Sequence, residues 1–299
     1  MITPSLSIDP ESRHRLAVGI IGAGRLGSAL AGALVASGYA DLRIASRDEA
    51  RATQTATSLG VTACPTHRIV EECALAFLAV PDRAITELAA SLPWRAGQCV
   101  VHASGALGLD VLASATARGA VAGSLHPLQT FPGPADGARR EAARALFDGT
   151  TCGVEAAEPL SGLLEALIGD LGGCVVRLEG VDRALYHAAA VLVSNDVIAL
   201  MAAAARTWTQ AGLPEDAARG ALAPLLLAAA SNVARLPLER ALTGPVARGD
   251  ASTVEDHLNA LAGDADLSTI YRALARELLR LDLGHPSEAR AALESLLRD

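Results

Sequence analysis

The sequence has 299 residues, enough for two domains of about 150 residues each. Apolar residues make up 51% of it and charged residues 19%, which is typical of a chain that folds around buried cores. The net charge of −8 argues against a nucleic-acid partner, because proteins that bind a phosphate backbone carry a basic surface. The sequence contains arginine but no lysine, so Schiff-base chemistry on a lysine is excluded.

Five scattered cysteines, none in a CxxC pair, predict reduced thiols in a cytoplasmic protein and no metal site. Residues 1–15 hold no sustained apolar run, so we predict a disordered tail there. The apolar stretch 186–205 has the length of a membrane span, but Asn195 and Asp196 at its centre would be costly in a bilayer. We therefore expect a buried helix and no membrane.

Short apolar runs alternate with helical segments through the first half of the chain. They predict strands at residues 16–21, 42–45, 74–80, 99–102 and 121–125, with two more near 151–154 and 174–178. Strands that alternate with helices predict an α/β fold with a doubly wound parallel sheet. After Gly180 the pattern is helical. We therefore place an α/β domain at residues 16–180 and an all-α domain at residues 181–299.

A glycine-rich turn follows the first predicted strand and opens a helix, and it reads Gly22-Ala23-Gly24-Arg25-Leu26-Gly27. In such a GxGxxG turn the first glycine permits the bend, the second lets the backbone approach a pyrophosphate, and the third lets helix and strand pack closely. The free N–H groups of the helix N-terminus favour the anion. We therefore predict a Rossmann domain that binds a dinucleotide through these six residues.

The end of the second predicted strand selects the dinucleotide. NAD sites usually carry Asp or Glu there, on the ribose 2′-hydroxyl, whereas this chain has Ser46 and Arg47. A hydroxyl and a guanidinium suit a 2′-phosphate, so we predict NADP(H) as the cofactor. The alternative is that Arg47 is a solvated loop residue and that Asp48 or Glu49 serves NAD.

Polar side chains follow further strands toward the crevice that Ala79, Val80, Pro81 and Asp82 should line. Ser104 and His126 can hydrogen-bond a substrate oxygen, and histidine titrates in the range of a proton donor. His126 follows a strand at the ligand-binding edge, which favours a functional role. For His102 we favour a core histidine bonded to the backbone.

The first helix of the second half carries one polar stripe. At about 100° per residue, Arg183, His187 and Ser194 lie within roughly 40° of one another, and Asn195 flanks them. Such a stripe suits a nicotinamide and its substrate, or equally a hydrogen-bond network in a helix or dimer interface. The segment TGPVARGD at residues 243–250 holds Arg248 and is either an anion-binding loop or a capped helix start.

Four motifs carry a resemblance to a known family: residues 22–27, SLHPLQTF at 124–131, YHAAAVLVSN at 186–195, and TGPVARGD. They resemble Rossmann-like proteins with a helical C-terminal domain of long-undefined function, in the 6-phosphogluconate dehydrogenase C-terminal-like superfamily. Relatives include pyrroline-5-carboxylate reductase, deazaflavin-dependent NADP oxidoreductase, prephenate dehydrogenase and ketopantoate reductase. By analogy the helical domain is expected to form a homodimer.

The resemblance also implies roles for single residues. The His126-Pro127 pair is similar to the His-Pro pair of prephenate dehydrogenases, whose histidine contacts substrate. Some members of the group are thought to act as an alternative ketopantoate reductase. The usual ketopantoate reductases employ a lysine, and many relatives carry lysine where this chain has Arg183, so a lysine-based mechanism is not available here.

These observations predict an NADPH-dependent reductase of a small 2-oxo acid such as ketopantoate, with its active site between the two domains. Either His126 or His187 would protonate the new alkoxide, and Asn195 would orient the carbonyl. An imine reductase of the pyrroline-5-carboxylate reductase type and a non-catalytic NADP-binding regulator remain as alternatives. The predicted catalytic residues are Ser104, His126, His187 and Asn195, and the predicted substrate-binding residues are Arg183, Ser194 and Arg248.

Overall fold

The computed structural model describes residues 9–131 and 140–298. The chain divides into two compact units after Val193. The first unit therefore ends later than the predicted boundary at residue 180. The reason is that helix Arg183–Leu192 bonds to strands of the first unit through Arg183 and Tyr186.

One eight-stranded sheet forms the frame of the first unit. Its strands are β1 (Val18–Ile21), β2 (Leu42–Ala45), β3 (Thr62–Ala63), β4 (Leu75–Leu78), β5 (Cys99–His102), β6 (Val121–Pro127), β7 (Thr151–Ala156) and β8 (Cys174–Arg177). The strand order is β3-β2-β1-β4-β5-β6-β7-β8. All neighbours are parallel except β6 and β7, which pair antiparallel. The α/β fold class is confirmed, but the last two strands run against the first six.

Alternate residues of the central strands enter hydrophobic cores on the two faces of the sheet. On β4, Leu75 and Phe77 belong to one core, and Ala76 and Leu78 belong to the other. The helices around the sheet are α1 (Pro10–His14), α2 (Arg25–Ala36), α3 (Glu49–Leu59), α4 (Thr66–Glu72), α5 (Asp82–Ser91), the 3₁₀ helix Leu109–Leu112, α6 (Ala113–Thr116), α7 (Arg140–Ala145), α8 (Leu160–Asp170) and α9 (Arg183–Leu192). Burial on both faces explains why these strands are continuous apolar runs in the sequence.

The predicted disordered tail is wrong for its last residues, and residues 1–8 lie outside the described part of the chain. Residues 10–14 form α1, and Arg13 is only 6% exposed. Its guanidinium donates two hydrogen bonds of 2.7 Å to the carboxylate of Asp170, and the Tyr39 hydroxyl donates to the same carboxylate at 2.9 Å. These charge-assisted bonds anchor the segment without any apolar run that the sequence could reveal.

In the second unit, every element that the structure describes is a helix. The helices are α10 (Asn195–Gln210), α11 (Glu215–Val233), α12 (Leu238–Ala241), α13 (Pro245–Arg248), α14 (Ala251–Ala260), α15 (Ala265–Leu278) and α16 (Ser287–Leu296). A small core joins the later helices, formed by Val246, Val254, Leu258, Ala275, Leu279, Leu293 and Leu297.

The apolar stretch that we expected to be one buried helix is neither continuous nor buried. It breaks between α9 and α10, where Ser194 has the non-helical angles φ −123° and ψ −76°. Ser194 therefore leaves the helical stripe predicted with Arg183 and His187. Ile198 is 70% exposed. By length and composition the segment Arg183–Gln210 could cross a membrane, and 6% of its most apolar window is buried.

Candidate active site

Three glycines shape the turn between β1 and α2. Gly22 has a φ of +123°, and a Cβ there would lie 2.1 Å from the carbonyl oxygen of Ala79. A Cβ on Gly27 would lie 1.8 Å from the carbonyl oxygen of Gly22. Glycine is therefore required at both positions. A Cβ on Gly24 would meet no protein atom within 4 Å, so Gly24 faces open space.

The same turn fits a pyrophosphate. Gly24 is the N-cap of α2, and no side chain caps this helix end. The first N–H groups of a helix have no partner within the helix, and they point at whatever approaches the open side of the turn. Ala23 is buried beneath the turn, Arg25 is exposed, and Leu26 packs against the core.

Ser46 and Arg47 follow β2 at the same edge of the sheet. Arg47 is exposed and forms no ion pair with the described residues. The neighbouring Asp48 is engaged, because its carboxylate accepts the N–H of Arg51 at 3.0 Å and caps α3. The Ser46 hydroxyl accepts the N–H of Asp48 at 3.3 Å. A free guanidinium beside an engaged carboxylate favours a 2′-phosphate over a 2′-hydroxyl.

A chain of contacts leads from the glycine turn to the end of β5. The side chain of Val80 would contact a Cβ on Gly22, at 3.4 Å, and Pro81 is the N-cap of α5. Asp82 begins α5 and accepts a 2.6 Å hydrogen bond from the Ser104 hydroxyl. That hydroxyl also accepts the N–H groups of Ala106 and Leu107, each at 3.2 Å. The Ser104 side chain therefore holds its own turn, and no hydroxyl proton is left for a substrate.

Arg183 of α9 lies against β6, β7 and the turn that follows β5. Its Nη2 donates to the carbonyl oxygen of Ser104 at 3.1 Å and to the Ser124 hydroxyl at 3.2 Å. Its Nη1 lies 3.6 Å from a carboxylate oxygen of Glu155, and the side chain is 9% exposed. The Nε and Nη1 atoms are buried and have no hydrogen-bond partner among the described residues. A buried guanidinium with unused donors is suited to bind a carboxylate.

His126 of β6 lies beside two side chains of α9. Its Nδ1 is 3.0 Å from the hydroxyl of Tyr186, and its ring centroid is 5.9 Å from that of His187. The His126 ring lies directly over Gly105, where a Cβ would come within 2.6 Å of it. Nδ1 of His187 is buried and has no hydrogen-bond partner among the described residues. We call Arg183, Tyr186, His187 and His126 the α9 cluster.

Two histidines of this region, His126 and His102, are held in the neutral form. Burial lowers the pKa of His126 to about 4, and His187 and Arg183 act in the same direction. Burial also lowers the pKa of His102 to about 4. His102 is fully buried, and its Nδ1 accepts the N–H of Ser104 at 3.2 Å, as expected for a core histidine.

The other predicted site residues lie in the second unit. The Ser194 hydroxyl donates to the side-chain oxygen of Asn195 at 3.2 Å. Arg248 ends α13, is 65% exposed, and lies 3.9 Å from a carboxylate oxygen of Asp250. Asp250 caps α14 through Thr253, so the segment 243–250 contains the capped helix start that we gave as one alternative. The predicted substrate contacts of Ser194, Asn195 and Arg248 stay predictions.

Three residues of the site were missing from the predicted set. Tyr186 lies one helical turn after Arg183, so helical spacing alone could have found it. Ser124 begins a motif that was already noted. Glu155 gave no signal, because its proximity to Arg183 depends on the pairing of β7 with β6.

No group of His, Cys, Asp or Glu side chains among residues 9–131 and 140–298 could hold a metal ion. The sheet, the glycine turn and the strand-end polar residues define a Rossmann-like α/β protein. Two family models match this chain: a Rossmann-like domain at residues 1–127 and a domain of unknown function, DUF2520, at residues 150–278. The chain thus combines a Rossmann-like domain with a C-terminal DUF2520 domain.

Solved structures share this architecture along nearly the whole chain. A protein from Bacteroides fragilis that is assigned as an NADP oxidoreductase is 26% identical, with a TM-score of 0.68, and the match covers 89% of this chain and 98% of that one. Protein TM1727 from Thermotoga maritima is also 26% identical, with a TM-score of 0.66 and coverage of 94% and 100%. No curated protein sequence matches significantly.

A more distant structure shows the same fold at lower identity. The 1-pyrroline-5-carboxylate reductase of Streptococcus pyogenes is 17% identical, with a TM-score of 0.61 and coverage of 90% and 100%. At this level of identity the likeness shows the fold alone.

Proposed function

We propose that this protein is an NADPH-dependent reductase that acts on the carbonyl group of a small 2-oxo acid, with ketopantoate as the leading candidate. The α9 cluster carries the proposal, because it sets a buried guanidinium with unused donors beside a histidine–tyrosine pair. Contacts through Val80, Asp82 and Ser104 connect this cluster to the glycine turn within one unit.

The cofactor assignment rests on the two ends of the dinucleotide. The pyrophosphate would lie over Gly24 at the N-terminus of α2, and the 2′-phosphate would pair with Arg47 beside Ser46. The Bacteroides fragilis relative is assigned as an NADP oxidoreductase, and a structurally similar reductive aminase from Aspergillus terreus was solved with NADPH. When bound, NADPH supplies the hydride.

The substrate assignment follows from Arg183. A 2-oxo acid needs a cation for its carboxylate, and bidentate pairing with a guanidinium would fix the orientation of the neighbouring carbonyl group. Ser124 and the Ser104 carbonyl hold that guanidinium in place. The chain contains no lysine that could bind the carboxylate instead.

A cyclic imino acid is the second candidate substrate. It also carries a carboxylate for Arg183, and its protonated nitrogen would be attracted by a nearby anion. The carboxylate of Asp82, bonded to Ser104, is the observation that favours it. In this alternative the hydride is added to a C=N bond and the cofactor site is unchanged.

The test is to follow NADPH oxidation by the purified protein with ketopantoate, other branched 2-oxo acids and pyrroline-5-carboxylate. We expect turnover with a branched 2-oxo acid that NADH does not support at equal concentration. Turnover with cyclic imines alone would select the second candidate. Tight NADPH binding without turnover on any of these substrates would indicate a non-catalytic NADP-binding regulator.

We also propose that the protein is a homodimer formed through the second unit. Large apolar side chains on α10 and α11 are solvent-exposed in the single chain, among them Ile198 at 70%, Leu225 at 68% and Leu227 at 70%. Exposed apolar surface of this extent is typical of an interface. Sedimentation equilibrium should give twice the mass of the chain, and Leu225→Glu with Leu227→Glu should give a monomer. A monomeric parent protein would refute the dimer.

A cytoplasmic location is part of the same proposal. All five cysteines are free thiols in this structure. Free thiols persist in a reducing compartment. Fractionation of the source cells should recover the protein in the cytoplasmic fraction.

A further inference from the structure

Reduction of a carbonyl group requires a proton as well as a hydride. The source of that proton is the subject of this inference, which rests on the proposed function. His126 and His187 were the two predicted donors. Burial lowers the pKa of His126 to about 4, so its imidazole is almost entirely neutral at pH 7. A group that is almost entirely neutral is a poor source of an imidazolium proton. A neighbouring group that carries its proton at neutral pH is better suited.

We propose that the hydroxyl of Tyr186 is the proton donor, and that His126 and Arg183 stabilise the phenolate it leaves. The hydroxyl lies 3.0 Å from Nδ1 of His126. The guanidinium carbon of Arg183 lies 6.0 Å from the centre of the Tyr186 ring. These two partners of Tyr186 come from different elements, His126 from β6 and Arg183 from α9.

The fold makes room for the phenol. A Cβ on Gly153 of β7 would lie 2.6 Å from the Tyr186 hydroxyl oxygen, so glycine on this strand leaves the space that the hydroxyl occupies. Gly153 pairs with His126 in the antiparallel register of β6 and β7. The glycine, the histidine and the phenol therefore meet at one point of the sheet.

The step balances without any further reagent. The carbonyl carbon gains the hydride that NADPH supplies, the C=O π bond breaks, and the oxygen takes the proton of the Tyr186 hydroxyl. The phenolate accepts a hydrogen bond from Nδ1–H of neutral His126 and regains a proton from solvent. A phenol gives its proton readily to an alkoxide, because an alkoxide is a far stronger base than a phenolate.

The charges around Tyr186 act in opposite directions. Burial raises the pKa of its phenol, whereas the Arg183 cation lowers it. Glu155 lies beside Arg183 and partly offsets that cation. The Nδ1–H of His126 stabilises the phenolate, so loss of this donor should raise the pH at which the phenol ionises. This effect can be measured in the protein without cofactor.

The first experiment replaces Tyr186 by Phe and keeps the ring. We expect kcat to fall by about 10²–10⁴-fold, with NADPH affinity within about twofold of the parent. Tyr271→Phe is the matched control, since Tyr271 also bonds to a histidine, with its hydroxyl 2.8 Å from Nδ1 of His257 in the second unit. It should leave kcat unchanged. If Tyr186→Phe keeps kcat within threefold of the parent while 2-oxo acids are still reduced, the proton donor is another group and the reductase assignment stands.

The second experiment measures the ionisation of the Tyr186 phenol without turnover. The chain has three tyrosines, so the ultraviolet titration of the parent minus that of Tyr186→Phe isolates one phenol. His126→Phe should shift its ionisation to higher pH by about one unit, whereas His126→Gln, which keeps an N–H donor, should restore most of the parent value. No shift in His126→Phe would overturn the coupling, whether or not the protein reduces any substrate tried.

Discussion

The glycine turn and the α9 cluster, the two ends of the proposed active site, are built in different ways. The turn consists of six consecutive residues, and its shape depends on where a Cβ cannot fit, as at Gly22 and Gly27. The α9 cluster joins side chains from β6 and α9 that are about sixty residues apart in the chain. Cofactor binding thus rests on local backbone geometry, and the reaction site rests on tertiary packing. The two should respond differently to substitution.

The largest expected effect is on the α9 cluster. Arg183→Ala should lower kcat/KM for the 2-oxo acid by about 10²–10³-fold, because a desolvated charge-assisted pair is lost and Glu155 is left without its cation. NADPH affinity should change by less than about threefold. Steady-state kinetics and a fluorescence titration measure the two quantities.

Arg177→Ala is the control for that substitution. Arg177 ends β8, is 58% exposed and pairs with Glu165 at the surface, so its loss should leave kcat/KM unchanged. If Arg183→Ala weakens NADPH binding as strongly as it lowers kcat/KM, the two ends of the site are not separable and the comparison fails.

The next effect is at the cofactor. Arg47→Ala should weaken NADPH binding by about 10- to 150-fold, the loss of a charge-assisted hydrogen bond, and leave NADH binding unchanged. Arg51→Ala is the control, because Arg51 lies one turn away and pairs with Asp48. Equal affinity of the parent protein for NADPH and NADH would show that Arg47 does not bind a 2′-phosphate.

The smallest effect separates two glycines of one motif. Gly27→Ala should lower the free energy of unfolding by about 1–3 kcal/mol, because its Cβ collides with the backbone of Gly22. Gly24→Ala should leave the free energy of unfolding unchanged and weaken NADPH binding, because its Cβ extends only into the open space of the cofactor. Urea unfolding and a binding titration distinguish the two. A lower free energy of unfolding in the Gly24→Ala protein would contradict the open space beside Gly24.

The same contrast explains what the sequence could predict. The glycine turn, β2 and β5 follow from contiguous residues, and the structure has them where they were expected. The break at Ser194 removed one residue from a stripe drawn on an unbroken helix, and the antiparallel return of β7 brought in Glu155 without any local signal. The anchoring of α1 by Arg13 and Asp170 likewise joins residues 157 positions apart. Contacts of that range depend on tertiary packing, which periodicity and motif spacing do not encode.

Direct hydride transfer from NADPH to the substrate carbon is the central claim, and isotope transfer measures it most directly. NADPH carrying deuterium on one face of C4 should be supplied to the purified protein with the best 2-oxo acid of the panel, and the product analysed by mass spectrometry and NMR. We expect one deuterium on the former carbonyl carbon from one of the two C4 epimers and none from the other. A hydroxy acid product without deuterium from either epimer would contradict direct transfer at this site.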